Sequence, residues 1–411
     1  MITPYYRDDQ ITLYTGDALD VLAELPTSSV HCVVTSPPYW GLRDYGTGRW
    51  VGGDPHCPHR TAAGRGGNLA QTKHPPLGYP ASAAHRGGAP QQCHRCGALR
   101  QDRQHGLEPT PQEYVDRLRA VFAELRRVLV DTATVWLNLG DSYSAEPPGR
   151  TGDAMRTSTL SGTSAAAVVR DSVRHAGVHR TRTIPRKNLI GMPWRVAFAL
   201  QQDGWVLRNA IIWHKPNAMP ESVRDRLANH YEMLYLLTKQ QHYHFDLDAI
   251  REPLTRPPAT DENIVIGTSH QGRHAGIDAT AGRRGNTTSG KYTTTAPFTR
   301  HPPGTAMQPT GQQHSTSHPH GKNPGDVWSI CTRPLREAHF AAYPIDIPLR
   351  CIAAGCPENG TVLDPFSGAA TTGLAAHHLG RTYVGIDLNP QFHDIGLRRL
   401  DRLPEPPPRT A

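Results

Sequence analysis

Apolar positions in this 411-residue chain fall into short blocks of two kinds. Some are continuous and rich in β-branched residues, as at Val30-His31-Cys32-Val33-Val34, the pattern of a strand buried on both faces. Others recur every three or four positions. Val115, Leu118, Val121, Phe122, Leu125, Val128 and Leu129 share one helical face behind Thr110-Pro111-Gln112-Glu113, a capping-box start with proline in the first turn. The pattern predicts strands over 11–14, 30–34, 133–139, 205–213, 231–238 and 382–386, with a further one opening at Thr361. It predicts helices over 18–25, from Pro111, over 189–201, near 347–354, and from the turn after Asp364 to about Leu379. Helix, strand and polar loop therefore alternate, which favours an α/β sheet with its site at the strand ends. Three stretches lack periodicity: 41–105, 145–187 and 255–322.

Composition sharpens this picture in three ways. Hydrophobic residues make up 37% of the chain while Gly (38) and Pro (37) are abundant, so part of it is expected to be loop. A formal net charge of +8 suits an anionic partner, nucleic acid first. Seven cysteines are an odd number, which argues against a disulfide framework. With no bilayer-length apolar run and no signal peptide at the start, the expectation is a cytoplasmic protein without a membrane partner.

Thr35-Ser36-Pro37-Pro38-Tyr39-Trp40 follows the 30–34 strand. Neither proline has an N–H, so the chain leaves the sheet without re-pairing. A hydroxyl, two freed carbonyls and two aromatic faces remain, a surface suited to a flat ring with polar edges. Far along the chain, Asp364-Pro365-Phe366-Ser367-Gly368 reads as strand end and turn, and Asp387 closes the next strand 19 residues after Gly368. That is the layout of a nucleotide-type βαβ unit, in which the second acid grips ribose hydroxyls. A carboxylate at the first strand end would repel a pyrophosphate and attract an amine or sulfonium. Together Asp364 and Asp387 point to S-adenosylmethionine rather than a dinucleotide. Asp17, after Gly16, is either a helix N-cap or a ligand contact.

Within 41–105, Cys93-His94-Arg95-Cys96-Gly97 has knuckle spacing, and Cys57-Pro58-His59 supplies a second pair. Cys57, His59, Cys93 and Cys96 would make a structural zinc site, with His56 and His94 as alternative donors; the competing reading is free thiols and histidines in a loop. The 145–187 stretch carries eight Lys/Arg against three Asp/Glu and reads as a flexible basic loop, either neutralising phosphates or merely solvated. Histidines 270, 274, 301, 314, 318 and 320 show no ligand spacing and read as polar surface.

These motifs, taken together, resemble the beta class of amino-methylating DNA methyltransferases, which place a Ser/Asp/Asn-Pro-Pro-Tyr motif before the cofactor motif. The resemblance covers residues 1–40, 108–144, 188–250 and 326–400. Its Cys-x-His and Cys-x-x-Cys insertion is similar to that of a phage-like and orphan subgroup. The resemblance implies a circularly permuted, Rossmann-like α/β methyltransferase fold with a mixed, mostly parallel sheet and loop insertions. It divides the chain into a catalytic half (1–40 and 108–250), a zinc-binding insertion (41–107), the basic loop (145–187), a low-complexity or target-recognition segment (251–325), a cofactor half (326–402) and a tail (403–411).

By that resemblance Ser36, Pro37, Pro38 and Tyr39 are catalytic, while Asp17, Asp364, Phe366, Ser367, Gly368, Thr371, Thr372 and Asp387 bind the cofactor. The Ser36 hydroxyl and Pro37 carbonyl would accept hydrogen bonds from an exocyclic amine and restore its lone pair. Tyr39 would stack on a base flipped out of double-stranded DNA. Trp40 would add a second wall or pack in the core, and Lys215 and Asn217 would touch DNA or serve structure. Serine at position 36 mostly accompanies cytosine N4 methylation in the family, and Asp or Asn adenine N6 methylation, so cytosine is expected. Cytosine C5 chemistry needs a cysteine nucleophile, typically in Pro-Cys, a dipeptide missing from this chain. A cognate restriction enzyme is a candidate partner. Rival readings are an adenine N6 enzyme, an RNA or protein-glutamine methyltransferase, and a non-enzymatic zinc protein that binds DNA. One departure stands out: Ala370 occupies a turn position where the family carries glycine, at a cost of roughly 1 kcal/mol or more if φ there is positive.

Overall fold

A nine-stranded sheet organises the larger of two units in the computed structural model, which describes residues 2–42, 45–59, 91–144, 184–185, 187–253, 318, 320–333 and 342–402. The larger unit comprises 1–246 and 325–411, the smaller 247–324. In chain order the strands are β1 (Tyr6–Arg7), β2 (Ile11–Thr15), β3 (Val30–Thr35), β4 (Arg49–Val51), β5 (Gln91–Gln92), β6 (Leu99–Gln101), β7 (Leu129–Leu139), β8 (Val206–His214), β9 (Tyr231–Thr238), β10 (Val327–Ser329), β11 (Thr361–Asp364) and β12 (Thr382–Asp387). The main sheet runs β1-β2-β12-β11-β3-β7-β9-β8-β10. Five of its pairings are parallel; β1 with β2 and β9 with both neighbours are antiparallel. This is the α/β sheet that the alternation predicted, and the mixed, mostly parallel one that the resemblance implied.

Helices α1 (Ala18–Glu24), α2 (Pro111–Val128) and α3 (Met192–Gln202) join one buried cluster with Ala133, Val135, Leu137 and Leu139 of β7. Alternation turns Thr134 to the other face. There its hydroxyl donates to the Gly355 carbonyl at 2.9 Å, at the end of α4 (Asp346–Gly355). Helix α5 (Thr371–His378) packs beside α4, and α6 (Pro390–Arg399) follows β12. Thr110 caps α2 as the capping box required, accepting from the Glu113 N–H at 3.2 Å.

Register brings the functional strands to one edge. Val33 pairs with Leu363, Thr35 with Leu137, Asp364 with Gly385 and Asp387 with Thr15. Residues 36–39, 364–368 and 387 therefore leave the sheet together, although they come from opposite ends of the sequence.

The 41–105 stretch is not pure loop. Strands β4, β6 and β5 form a small antiparallel sheet in that order. Each has only two or three residues, too few for alternation to register as a pattern. The strands β1 and β10 and the helix α6 were unmarked for the same reason or for weak apolar content. In the smaller unit, Asp248–Ile250 form a 3-10 turn, and Glu252 and Lys322 exchange backbone hydrogen bonds of 2.9 and 3.0 Å. His318 and His320 lie 3.8 and 3.4 Å from Asp248, all three exposed. The other histidines of that segment, most of the basic 145–187 stretch and the 403–411 tail lie outside the described residues. Among the described residues no helix is long and apolar enough to cross a membrane.

Candidate active site

Strand β3 ends in the Ser-Pro-Pro-Tyr stretch, which forms one wall of a cleft of about 800 Å³. Ser36 Oγ lies 3.3 Å from both Asn138 Oδ1 and the Tyr39 hydroxyl. Asn138, at the end of the neighbouring β7, is fixed by its own amide N–H, which donates to the Met233 carbonyl at 3.1 Å. Its oxygen is thus turned to receive the Ser36 hydrogen, leaving Ser36 lone pairs for the cleft. The Pro38 carbonyl accepts from the Tyr114 hydroxyl at 3.0 Å, whereas among the described residues no donor occupies the Pro37 carbonyl.

Tyr39 is held by its hydroxyl, which donates to Glu232 at 2.6 Å and lies 2.9 Å from Asn138 Oδ1. Burial, followed by the Glu232 charge, pushes the Tyr39 hydroxyl well above the usual phenol range, so it stays a donor. Glu232 pairs in turn with Lys215, whose ammonium also sits 4.4 Å from the Trp213 ring centroid. One edge of the Tyr39 ring presses on Gly140, where a Cβ would come within 2.5 Å of Tyr39 Cε2. Lys215 thus serves structure through Glu232. Asn217 does so by accepting from the Thr332 N–H at 2.8 Å and donating to its carbonyl at 2.9 Å, and both residues line the cleft. Trp40 is a core residue: it is buried, and its indole donates to the Glu108 carbonyl at 2.8 Å.

The opposite wall is the 364–368 turn. Asp364 accepts from Thr35 (2.7 Å), the Phe366 N–H (3.1 Å) and Thr372 (2.7 Å), tying β3 to the turn and to α5. Asp387 accepts from the Gly368 N–H at 2.9 Å and the Asn389 N–H at 2.8 Å. Burial pushes both carboxyls up to about 6, and among the described residues no cation pairs with either. A cleft lined by the buried Asp364 and the half-buried Asp387, with no counter-ion among the described residues, fits a cationic, hydroxyl-bearing ligand such as S-adenosylmethionine.

Phe366, Ser367, Gly368 and Thr371 line the cleft with them. Thr372 does not: it is fully buried, and its hydroxyl is taken by Asp364, the Val34 carbonyl and Tyr343, so it braces the turn from behind. Of the two roles weighed for Asp17, the N-cap is seen directly. It caps α1 through the Leu19 N–H at 3.0 Å, lies 3.3 Å from Arg117 Nη2, and lines the cleft. Ala370 has φ +54°, ψ +40°, the left-handed conformation in which a side chain is strained.

Cys57, His59, Cys93 and Cys96 converge beside the small sheet, their ligand atoms all within 4.8 Å of one another. Cys57 and Cys93 sulfurs are 3.8 Å apart, and Cys96 Sγ is 3.3 Å from His59 Nδ1. A tetrahedron with Zn–S bonds of about 2.3 Å has edges of about 3.8 Å, so the donor set fits the metal. His59 rather than His56 or His94 joins the group, its ring stacked 5.2 Å from Trp50.

Sequence patterns gave no notice of Glu232, Asn138 or His105. The first two are ordinary positions on strands β9 and β7, and His105 is one histidine in a stretch without periodicity.

Comparison with known proteins bears on the chemistry. A family model described as DNA methylase, of the N6/N4 methyltransferases, matches residues 30–398. The Type II methyltransferase M.Cfr9I of Citrobacter freundii is 32% identical over 389 residues, covering 95% of this chain and 87% of that one. M.XycI of Xanthomonas campestris pv. cyanopsidis is 33% identical with the same coverage, and M.SmaI of Serratia marcescens is 30% identical over 390 residues, 95% and 90% of the two chains.

Proposed function

Because the chain belongs to the N6/N4 family of DNA methylases, we propose that this DNA methyltransferase methylates the N4 amine of cytosine, with S-adenosylmethionine as donor. The observation that carries the reading is the Ser36–Pro37 pair of acceptors, facing the same cleft as the unpaired acids Asp364 and Asp387. When bound, S-adenosylmethionine supplies an electrophilic methyl group on its sulfonium. The protein's part is to bring the amine to that methyl and to correct its electronics.

An exocyclic amine has its lone pair delocalised into the ring. Accepting its hydrogens out of the ring plane, on Ser36 Oγ and the Pro37 carbonyl, pulls the nitrogen towards tetrahedral geometry. Asn138 keeps the Ser36 hydrogen out of the way. A face of the Tyr39 ring supports the flipped base, and the Glu232–Lys215 pair holds that ring in place. Asp387 takes the ribose and Asp364 balances the cationic end. Positioning of this kind is worth several orders of magnitude in rate. Serine rather than Asp or Asn at position 36 supports cytosine over adenine.

In the same reading, zinc held by Cys57, His59, Cys93 and Cys96 organises the insertion, a cytoplasmic Type II restriction enzyme is the partner, and base flipping out of duplex DNA precedes transfer. Nucleoside mass analysis of DNA methylated by the purified protein tests the chemistry: N4-methylcytosine is expected, and N6-methyladenine alone would refute the base assignment. Ser36→Ala should abolish most activity while S-adenosylmethionine still binds. Metal analysis should return one zinc per chain, and Cys93→Ser should lose both the metal and thermal stability; less than half an equivalent would refute the zinc site.

A further inference from the structure

The insertion ends in a residue that faces the cleft. Among the described residues lining it, His105 alone has buried side-chain polar atoms without a hydrogen-bond partner, and both ring nitrogens are in that state. The side chain is only 2% exposed. Burial, with Arg117 nearby, lowers its pKa to about 3, so the ring is neutral and offers one N–H and one lone pair. A buried polar group left unpaired is destabilising, and such orphans call for an explanation.

Its position is fixed from both sides. Gln104 accepts from the Tyr45 N–H at 2.6 Å, and the Gly106 N–H donates to Glu108 at 2.8 Å. Gly106 also accepts from the Gly41 N–H at 2.9 Å and is pressed against the Tyr39 carbonyl. The His105 ring stands edge-on to Phe366, centroids 5.0 Å apart. Thus it lies between the cofactor turn and the Ser36 clamp. Atoms near that junction belong to the sulfur end of the cofactor, because the reactive methyl must face Ser36. Adenine lies beyond the ribose that Asp387 holds. At the sulfur end, the methionyl group presents an ammonium donor and a carboxylate acceptor, so one ring nitrogen of a neutral imidazole can meet either the ammonium with its lone pair or the carboxylate with its N–H.

We propose that His105 is a cofactor contact supplied by the cysteine-bearing insertion, and that it binds the amino-acid end of S-adenosylmethionine. This rests on the S-adenosylmethionine reading above. The test is calorimetric binding to the full-length protein without DNA, using S-adenosylhomocysteine and methylthioadenosine, which lacks the amino-acid end. His105→Phe should weaken S-adenosylhomocysteine about tenfold and leave methylthioadenosine unchanged. His105→Gln, which keeps a donor and an acceptor, should recover part of the loss. Melting of the ligand-free His105→Phe protein should be unchanged or higher, since an orphaned polar ring gives way to an apolar one; a lower melting temperature with intact affinity would mark His105 as structural and overturn the proposal. Unchanged affinity for S-adenosylhomocysteine, or equal loss for both ligands, would also overturn it. Failure of the unaltered protein to bind either ligand would instead overturn the cofactor reading itself.

Discussion

Ala370 and Gly396 make a sharp test of the packing behind the 364–368 turn. Ala370 is almost fully buried at φ +54°, and a Cβ added at Gly396 in α6 would meet the Ala370 methyl at 2.8 Å. The next atoms it would meet are at 3.6 and 3.7 Å, ordinary contacts. The two positions therefore share space for one methyl group, and the protein puts it at the strained one. Ala370→Gly relieves about 1–2 kcal/mol of left-handed strain. It gives up about 0.8 kcal/mol of methyl burial and about 0.4–1 kcal/mol through the freer unfolded chain, so its net effect is near zero. Gly396→Ala alone gains about 1 kcal/mol of helix propensity but incurs about 1–3 kcal/mol of overpacking, and should destabilise or be neutral. In the Ala370→Gly background the same change fits, fills the space and should stabilise by about 1–2 kcal/mol. The two sites should thus couple by about 2 kcal/mol or more in a double-mutant cycle read by urea unfolding. If Gly396→Ala has the same effect in both backgrounds, the shared-methyl argument is wrong.

Other outcomes follow from the same geometry. Gly140→Ala drives a methyl into the Tyr39 ring, whose hydroxyl is anchored, and should lower kcat about 100-fold with S-adenosylmethionine affinity intact; wild-type turnover would refute the close approach. Glu232→Ala strips Lys215 of its carboxylate and leaves the Tyr39 hydroxyl to Asn138 and Ser36, and should lower stability by about 2 kcal/mol in denaturant unfolding. Adding Lys215→Ala should recover part of that loss, whereas strict additivity would count against the network. Asp364 and Asp387, raised to about 6, should make S-adenosylmethionine affinity rise with pH between 5 and 7.5, because the cation needs ionised acids. For the free protein the sign is opposite. Their contribution to folding is fully present below about 3.8, the unfolded value, and is lost as pH rises through about 6. Calorimetry at several pH values checks the first point; a flat affinity would refute it.

The sequence made most of the sheet legible because its central strands are buried on both faces and read as unbroken apolar runs; the 231–238 strand coincides with β9. The turns at 36–39 and 364–368 were legible because proline and glycine stop a strand abruptly, and the structure brings both to one cleft. The four side chains that converge beside the small sheet could be picked out from knuckle spacing, but not the choice of His59 over its neighbours, which depends on Trp50 packing against the ring. Glu232 and Asn138 carry no local signal: each acts by facing Tyr39 across strands far apart in sequence. For Ala370 the sequence could only pose the question of φ. Its answer depends on where α6 lies.

The order of strands in the main sheet also constrains how the chain can assemble. β2 and β3 come from the first 35 residues, yet β12 and β11, from 361–387, lie between them. During synthesis the leading strands have a two-strand gap and unpaired edges until more than 350 further residues have been added in all, counted from β3 to the end of β12. Such edges invite pairing with other chains, and closing so long a loop is slow. The late strands carry Asp364 and Asp387, so the step that seals the sheet also completes the cleft. A nascent chain can therefore expose Ser36 and Tyr39 long before the opposite wall of their cleft exists.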